Sequence, residues 1–276
     1  MAAVEISDPD DERLADYVRL RESSLRRHLE AEEGLFIAEG DKVIRRAVAA
    51  GYRPRSFLLS ERWLDSLRDV LVSCPEVPVY LVSVQLAERV TGFHVHRGAL
   101  ASMHRHQQHS LPDVLAGERV VVLEDVVDHT NVGAILRNAA ALGWDGALLS
   151  PRTADPLYRR SVKVSMGAVF SLPWSRLDDW RTAPQLLHRA GFFTVALTLA
   201  EDAVELEQVR SDLETTHRRV AILLGTEGAG LSAHWAAAAS VRATIPMAAP
   251  VDSLNVAAAS AIACYLLASP RRRSAG

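Results

Sequence analysis

Polar residues that could act on a substrate gather at three places in the chain. One is a glycine loop, Gly225-Thr226-Glu227-Gly228-Ala229-Gly230, directly after the apolar run Val220 to Leu224. Another is Asn131 with Arg137, and the last is Ser253 with Asn255 on either side of Leu254. Glycines allow positive φ and let backbone approach a ligand closely. The order here is G-x-x-G-x-G, not the dinucleotide order G-x-G-x-x-G, and no Gly-Lys-Ser/Thr follows. A carboxylate inside the loop, Glu227, would repel phosphate. The loop therefore suits a ligand without phosphates, held largely by backbone groups. Taken alone, a glycine loop between strand and helix is more often just a turn.

These residues need elements to position them. Val220 to Leu224 and Val241 to Ile245 are short and β-branched at their cores, as buried strands of a parallel sheet are. The pattern from Val220 to Leu267 reads strand, tight loop, helix, strand, loop, buried helix. Asp252 or Ser253 can cap the last helix, and Pro270 stops it. Upstream, Val120 to Leu123 reads as a buried strand and Asp125 to Thr130 as a loop. Asn131 is a good N-cap for a helix running to about Leu142, with Gly143 after it. At about 100° per residue, Val132, Ile135, Leu136 and Ala139 share one face, and Arg137 falls roughly opposite. Most such arginines are simply solvated. Asp145 to Leu149 and Phe193 to Leu197 read as further strands, and Pro184 to Ala190 as a helix.

Together the three segments resemble the SpoU/TrmH family of RNA ribose methyltransferases. Asn131-Val132-Gly133-Ala134-Ile135-Leu136-Arg137-Asn138-Ala139 is similar to its first motif, and Leu224 to Ser232 to its second. Ile245-Pro246-Met247 with Ser253-Leu254-Asn255-Val256-Ala257 is similar to its third. Their order and spacing are the family's, over roughly Arg119 to Leu267. Thr226 departs from it, standing where Asn, Ser or Ala is usual.

The resemblance implies methyl transfer from S-adenosylmethionine to a ribose 2′-hydroxyl, an in-line displacement at carbon that needs alignment, help in removing a proton and no metal. Carried over by residue, Arg137 would act on the 2′-hydroxyl. A guanidinium gives up its proton too reluctantly to suit a plain general base. Orienting the hydroxyl or the adjacent phosphate and stabilising the developing oxyanion suits it better. Asn131, Glu227, Ser253 and Asn255 would shape the site by hydrogen bonding, with Glu227 alternatively orienting Arg137. The cofactor would lie on backbone groups at Gly225, Ile245 and Leu254. The bland readings are helix capping for Ser253 and Asn255 and a solvated loop carboxylate for Glu227. The resemblance also implies a trefoil knot over the pocket, and a homodimer with Arg137 and the cofactor site near its interface. A knotted enzyme that methylates a base, and a non-catalytic RNA-binding protein of the same fold, are the alternatives.

The N-terminal part alternates strand and helix: Leu35 to Ala38, a helix with Val43, Ile44, Ala47 and Val48 on one face, Ser56 to Leu59, Trp63 to Val72, Val79 to Val82, Val84 to Val90, and Ala99 to Met103. That is a small α/β domain. Ala38-Glu39-Gly40, Ala50-Gly51-Tyr52 and Gly92 to Gly98 resemble the substrate-binding domain that precedes the catalytic one in many family members, whose implied job is to hold RNA. The histidines from His94 to His109, with Arg97 and Arg105, form either an RNA-facing rim or a solvated loop. Between Pro151 and Lys163, the residues Arg152, Arg159, Arg160 and Lys163 surround Tyr158 and are candidate phosphate contacts. The expected layout is an acidic, disordered start (1–12), an RNA-binding α/β domain (13–105), a linker (106–117), a knotted parallel-sheet methyltransferase domain (118–269) and a basic tail (270–276).

Composition bounds the rest. A chain of 276 residues, 49% hydrophobic and 24% charged, has the make-up of a soluble two-domain protein. No apolar run reaches transmembrane length. Cys74 and Cys264 match no metal or redox spacing, which fits a reducing cytoplasm and plain packing. A net charge of −3 offers no bulk attraction to RNA. Lys42 and Lys163 are the only lysines among 31 lysines and arginines. Arginine's planar fork suits phosphate, but arginine-favouring codons explain that bias better. Ribosomal and transfer RNA are both open as substrates, with a slight lean to ribosomal RNA.

Overall fold

The computed structural model describes residues 3–18, 20, 34–92, 98–106, 109–216, 219–248 and 253–268. The chain divides into two compact units, one of Met1–Gln107 with Leu157–Phe170, the other of Gln108–Pro156 with Ser171–Gly276.

The first unit is built on a sheet of β1 (Ala3–Glu5), β2 (Leu35–Glu39), β3 (Pro54–Leu59), β4 (Val79–Leu81) and β5 (Ala99–His104) in the order β1-β4-β3-β5-β2. Only β5 runs against its neighbours. Helices Asp41–Ala49 and Val84–Thr91 flank it, the latter capped by Ser83, whose side chain accepts from Leu86 N–H. Tyr17 is fully buried, and its hydroxyl bonds to Ser56 O at 2.9 Å and accepts from Ser102 N–H at 3.1 Å. That phenol replaces the water a buried polar group would otherwise lose.

Three features of this unit depart from the sequence reading. The acidic start contributes an edge strand, because Ala3–Glu5 pair in parallel with Val79–Leu81. Trp63 to Val72 is two short helices, Trp63–Ser66 and Arg68–Ser73, broken at the fully buried Leu67. The unit is also not contiguous in sequence. Leu157–Phe170, which reads as part of the catalytic half, packs within it, where the Phe170 ring lies 5.6 Å from Phe36 and 5.1 Å from Tyr52.

The second unit is built on seven parallel strands: β6 (Arg119–Leu123), β7 (Gly146–Leu149), β8 (Trp174–Arg176), β9 (Phe192–Leu197), β10 (Val204–Glu205), β11 (Arg219–Leu224) and β12 (Val241–Thr244). Their order is β10-β12-β9-β11-β6-β7-β8. The central strands β6 and β11 are apolar along nearly their whole length because both sheet faces are covered. Helix Leu111–Leu115, with a Ser110/Asp113 capping box, lies where a plain linker was expected.

The last helix, Val256–Leu266, is tied to upstream elements through its carbonyls. Asn138 Nδ2 donates to Ala257 O at 2.9 Å, Trp144 Nε1 to Cys264 O at 2.9 Å, and Arg119 Nε to Leu267 O at 3.0 Å. It is not buried all round, since Ile262 and Tyr265 are exposed. Cys264 is a free, buried thiol whose pKa burial pushes up. Among the described residues no helix is long and apolar enough to cross a membrane.

Candidate active site

The helix His129–Ala141 begins three residues before the position the sequence suggests. Asp128 is its N-cap, and the carboxylate accepts from Thr130 N–H at 2.7 Å and Asn131 N–H at 3.0 Å. An ionised oxygen is a strong partner for these orphan amides. The Asn131 side chain is thereby left for other work. Its Nδ2 donates to Glu227 Oε1 at 2.7 Å.

Asn255, not Asp252 or Ser253, caps the last helix. Its Oδ1 accepts from Ala257 N–H at 2.9 Å, while its Nδ2 donates to Glu227 Oε1 at 2.7 Å and to Asn131 Oδ1 at 3.1 Å. Asp252 lies outside the described residues. The three segments singled out in the sequence thus meet at one carboxylate oxygen. Capping and site-building coexist in Asn255, because an amide carries both an acceptor and a donor.

Beside this cluster is a cavity of about 300 Å³ at the C-terminal ends of β9, β11 and β12. Crevices of parallel α/β sheets form at that end of the strands. Gly225, Ile245 and Leu254 line it, as does Ser253. Among the described residues no charged side chain lines it, and the polar side chains that do are Thr198, Thr226 and Ser253. The glycine loop folds back as a hairpin, with Thr226 N–H donating to Gly230 O at 3.0 Å and Gly230 N–H to Thr226 O at 3.1 Å.

Two contributors escaped the sequence reading. Leu197 to Ala200, at the end of β9, form a wall of the cavity. Glu124, just after β6, is buried and holds the far end of the loop. It accepts from Ser232 N–H at 2.7 Å, Ser232 Oγ at 2.8 Å and Trp180 Nε1 at 3.1 Å. Their positions at the carboxyl ends of apolar strands were the available signal.

The loop before the helix is also organised. Asp125 adopts φ +54°, a region non-glycine residues rarely enter. Its N–H donates to Ser150 Oγ at 2.8 Å, and its carboxylate accepts from Ser150 Oγ and Arg152. Burial pushes the Asp125 carboxyl up, but the hydrogen bonds from Arg152 and Ser150 outweigh it and hold the group below its usual range.

The remaining candidates are spread more widely. Arg137 is exposed on its helix. Within the first unit, Arg159 and Lys163 donate to Glu39 at 2.8 and 2.7 Å. The Glu39 carboxylate is 2% exposed, so these two cations neutralise a buried acid, a role that competes with phosphate contact. Arg160 is exposed. Arg97, His94 and His96 lie outside the described residues, and the His106 ring stacks 4.8 Å from Tyr52. Among the described residues no cluster of His, Cys, Asp or Glu could hold a metal ion.

Residues 118–265 match the SpoU rRNA methylase family model. A Mycobacterium tuberculosis protein, named as an uncharacterized tRNA/rRNA methyltransferase, is 41% identical over 262 residues, covering 95% of this chain and 90% of that protein. A Synechocystis protein of similar name is 29% identical over 85% of this chain and 84% of its own. Among solved structures, an AdoMet-bound rRNA methyltransferase from Sinorhizobium meliloti superposes with a TM-score of 0.80 at 24% identity, covering 99% of both chains. The SpoU methyltransferase AviRb from Streptomyces viridochromogenes, in complex with AdoMet, gives 0.78 at 23% identity over 96% of this chain and all of its own. At that identity both likenesses speak for the fold alone.

Proposed function

The chain belongs to the SpoU rRNA methylase family, and on that basis we propose that it transfers a methyl group from S-adenosylmethionine to a ribose 2′-hydroxyl of structured RNA. The observation that carries this reading is the convergence of Asn131 and Asn255 on Glu227 at the rim of the glycine-walled cavity. The cavity fits the cofactor's chemistry. Backbone groups at Gly225, Ile245 and Leu254 can hydrogen-bond an adenosine and a methionine end, while apolar walls take the rest. Among the described residues the lining carries no cation, which suits a cofactor without phosphate. When bound, S-adenosylmethionine supplies an activated methyl group on a sulfonium.

The protein's own residues then align the nucleophile. Arg137 orients the 2′-hydroxyl or its neighbouring phosphate and stabilises charge developing on the oxygen. Ser253, on the cavity wall, and the Asn131–Glu227–Asn255 cluster fix the rim against which the ribose docks. The first unit holds the RNA, with Arg160, Arg97 and, where they can be spared from Glu39, Arg159 and Lys163 as contacts. Ribosomal RNA is the preferred substrate class. The reading includes a cytoplasmic homodimer, supported by the exposed Ile262 and Tyr265 on the last helix. It also includes a trefoil knot, supported by the anchoring of that helix to Arg119, Asn138 and Trp144.

The test is incubation with methyl-labelled S-adenosylmethionine and separate pools of unmodified ribosomal and transfer RNA, followed by alkali. Label in alkali-resistant dinucleotides is the expected result, because a 2′-O-methyl group blocks cleavage at its neighbouring phosphate. Label confined to mononucleotides would mean base methylation and overturn the reaction.

A further inference from the structure

We propose that Ser60, Arg62 and Trp63 form a site that grips one phosphate oxygen of the substrate RNA at the end of the first unit's sheet. This rests on the reading that the first unit holds RNA.

The site begins where β3 ends. Ser60 N–H donates to Gly98 O at 3.0 Å, and Trp63 N–H donates to Ser60 O at 2.9 Å. The chain therefore turns tightly after Leu59 and brings the indole back beside the serine. Both side chains leave a donor unused. Ser60 Oγ and Trp63 Nε1 are buried, and among the described residues neither has a hydrogen-bond partner. Ser60 as a whole is 7% exposed. Folded proteins leave few buried donors unpaired, because such a donor has lost its water and gained nothing. Two of them side by side mark a place made for an acceptor.

The two donors converge. A Cβ at position 98 would lie 2.7 Å from Ser60 Oγ and 3.1 Å from Trp63 Nε1. Gly98 has φ +56°, which side chains rarely adopt, so that space stays clear. Arg62 Nη2 comes within 3.3 Å of the same point. The Arg62 guanidinium stands 5.3 Å from the centre of the Trp63 ring, and the residue is exposed. A hydroxyl, an indole N–H and a guanidinium together offer donors and a positive charge. A cation would be repelled there, whereas an anionic oxygen suits all three groups. The two inner donors are covered from water, so the exposed Arg62 meets the oxygen first and yields to let it reach them.

The placement favours RNA as the source of that oxygen. Strand β5 lies between β3 and β2, and Gly40 N–H donates to Ala99 O at 2.9 Å. Ser60 and Glu39 thus stand at the same end of the sheet, two strand spacings of about 4.8 Å apart. Glu39 holds Lys163, whose side chain is 53% exposed. The site and that lysine share one end of the unit, an arrangement for successive parts of a polyanion.

The test uses the full chain with unmodified ribosomal and transfer RNA, filter binding over a series of KCl concentrations, and a melting curve for every variant. Ser60→Ala removes the hydroxyl, and Trp63→Phe keeps a ring but removes its N–H. Each should weaken RNA binding about 5–20-fold. Ser60→Ala should melt at or above the wild-type temperature, because the donor it loses had no partner. Arg62→Gln should weaken binding and lower the slope of log K against log salt by about 0.7–0.9. The proposal is overturned if Ser60→Ala and Trp63→Phe both bind RNA within about twofold of wild type, less than one such hydrogen bond is worth. It is also overturned if Ser60→Ala melts about 4 °C or more lower, the mark of a purely structural hydroxyl. Loss of inorganic phosphate binding by calorimetry in the variants, with RNA affinity unchanged, would make the site one for a small anion and overturn it too. In each of these cases wild-type protein still binds RNA. Wild-type protein that binds neither RNA would defeat the reading that the first unit holds RNA, and this assignment with it.

Discussion

A methyl group at position 225 would lie 2.1 Å from the carbonyl carbon of Gly230 and 2.3 Å from the amide nitrogen of Leu231. Both are backbone atoms, so no side-chain rotation relieves the clash. The hairpin from Thr226 to Gly230 closes over Gly225 only because no Cβ is there. Gly228 and Gly230, at φ +88° and +68°, supply the turn that brings the return strand back. Gly225→Ala must therefore push the hairpin off the end of β11 and carry Glu227 with it. The expected cost is about 1–3 kcal/mol, as for other overpacked sites. The functional loss should exceed it, because the displaced backbone is also the cavity wall. S-adenosylmethionine affinity measured by calorimetry should fall at least about tenfold, on the scale of one lost charge-independent hydrogen bond or more. An unchanged affinity would mean that the loop does not hold the cofactor.

Between residue and fold, the helix caps decide which polar groups reach the site. The sequence favours Asn131 as the cap of its helix, since asparagine is a good one. Asp128 takes the position because its carboxylate reaches both Thr130 N–H and Asn131 N–H. Asp128→Ala should cost about 0.5–2 kcal/mol in urea unfolding without changing the m-value. It should also lower turnover, since a frayed first turn loosens Asn131's hold on Glu227; full activity at reduced stability would separate the cap from the site. The same competition explains what could be read in advance. The apolar runs Val120–Leu123 and Val220–Leu224 announce buried strands, and Asn131, Glu227 and Asn255 stand within motifs whose roles are tied to their order. Trp174–Arg176 and Val204–Glu205 do not announce themselves, because short strands toward the sheet edges need no apolar run. The cavity wall at Leu197 to Ala200 is equally silent, because apolar and backbone groups carry no motif. Helix Leu206–Thr216 buries only Leu206, Val209 and Leu213, a sparse stripe for its length.

Across the whole chain, the first unit is completed by Leu157–Phe170, which arrives after the polypeptide has already entered the second unit. That segment brings two things Met1–Gln107 cannot supply. Arg159 and Lys163 neutralise Glu39, whose carboxylate is 2% exposed at the end of β2. Phe170, itself 2% exposed, stacks with Phe36 and Tyr52. Without the segment, an acid would be buried with no cation and an aromatic face would be left to water. Removing the partner of a buried charge costs about 3–5 kcal/mol, and losing a buried phenylalanine a further 3–5 kcal/mol or so. Together these match the total stability of a small domain, about 5–15 kcal/mol. Residues 1–106 expressed alone should therefore bind a hydrophobic dye and melt without a cooperative transition. The same fragment with residues 157–170 appended through a flexible linker should melt cooperatively. A sharp transition in the short fragment would show that the inserted segment is dispensable. Failure of both fragments, with the Glu39→Gln variant of the full chain melting like wild type, would show that the buried ion pair contributes little. The expected pattern instead makes the first unit depend for its core on a segment that follows Gln108–Pro156 in the chain, so that it cannot be cut free at the point where the sequence changes character.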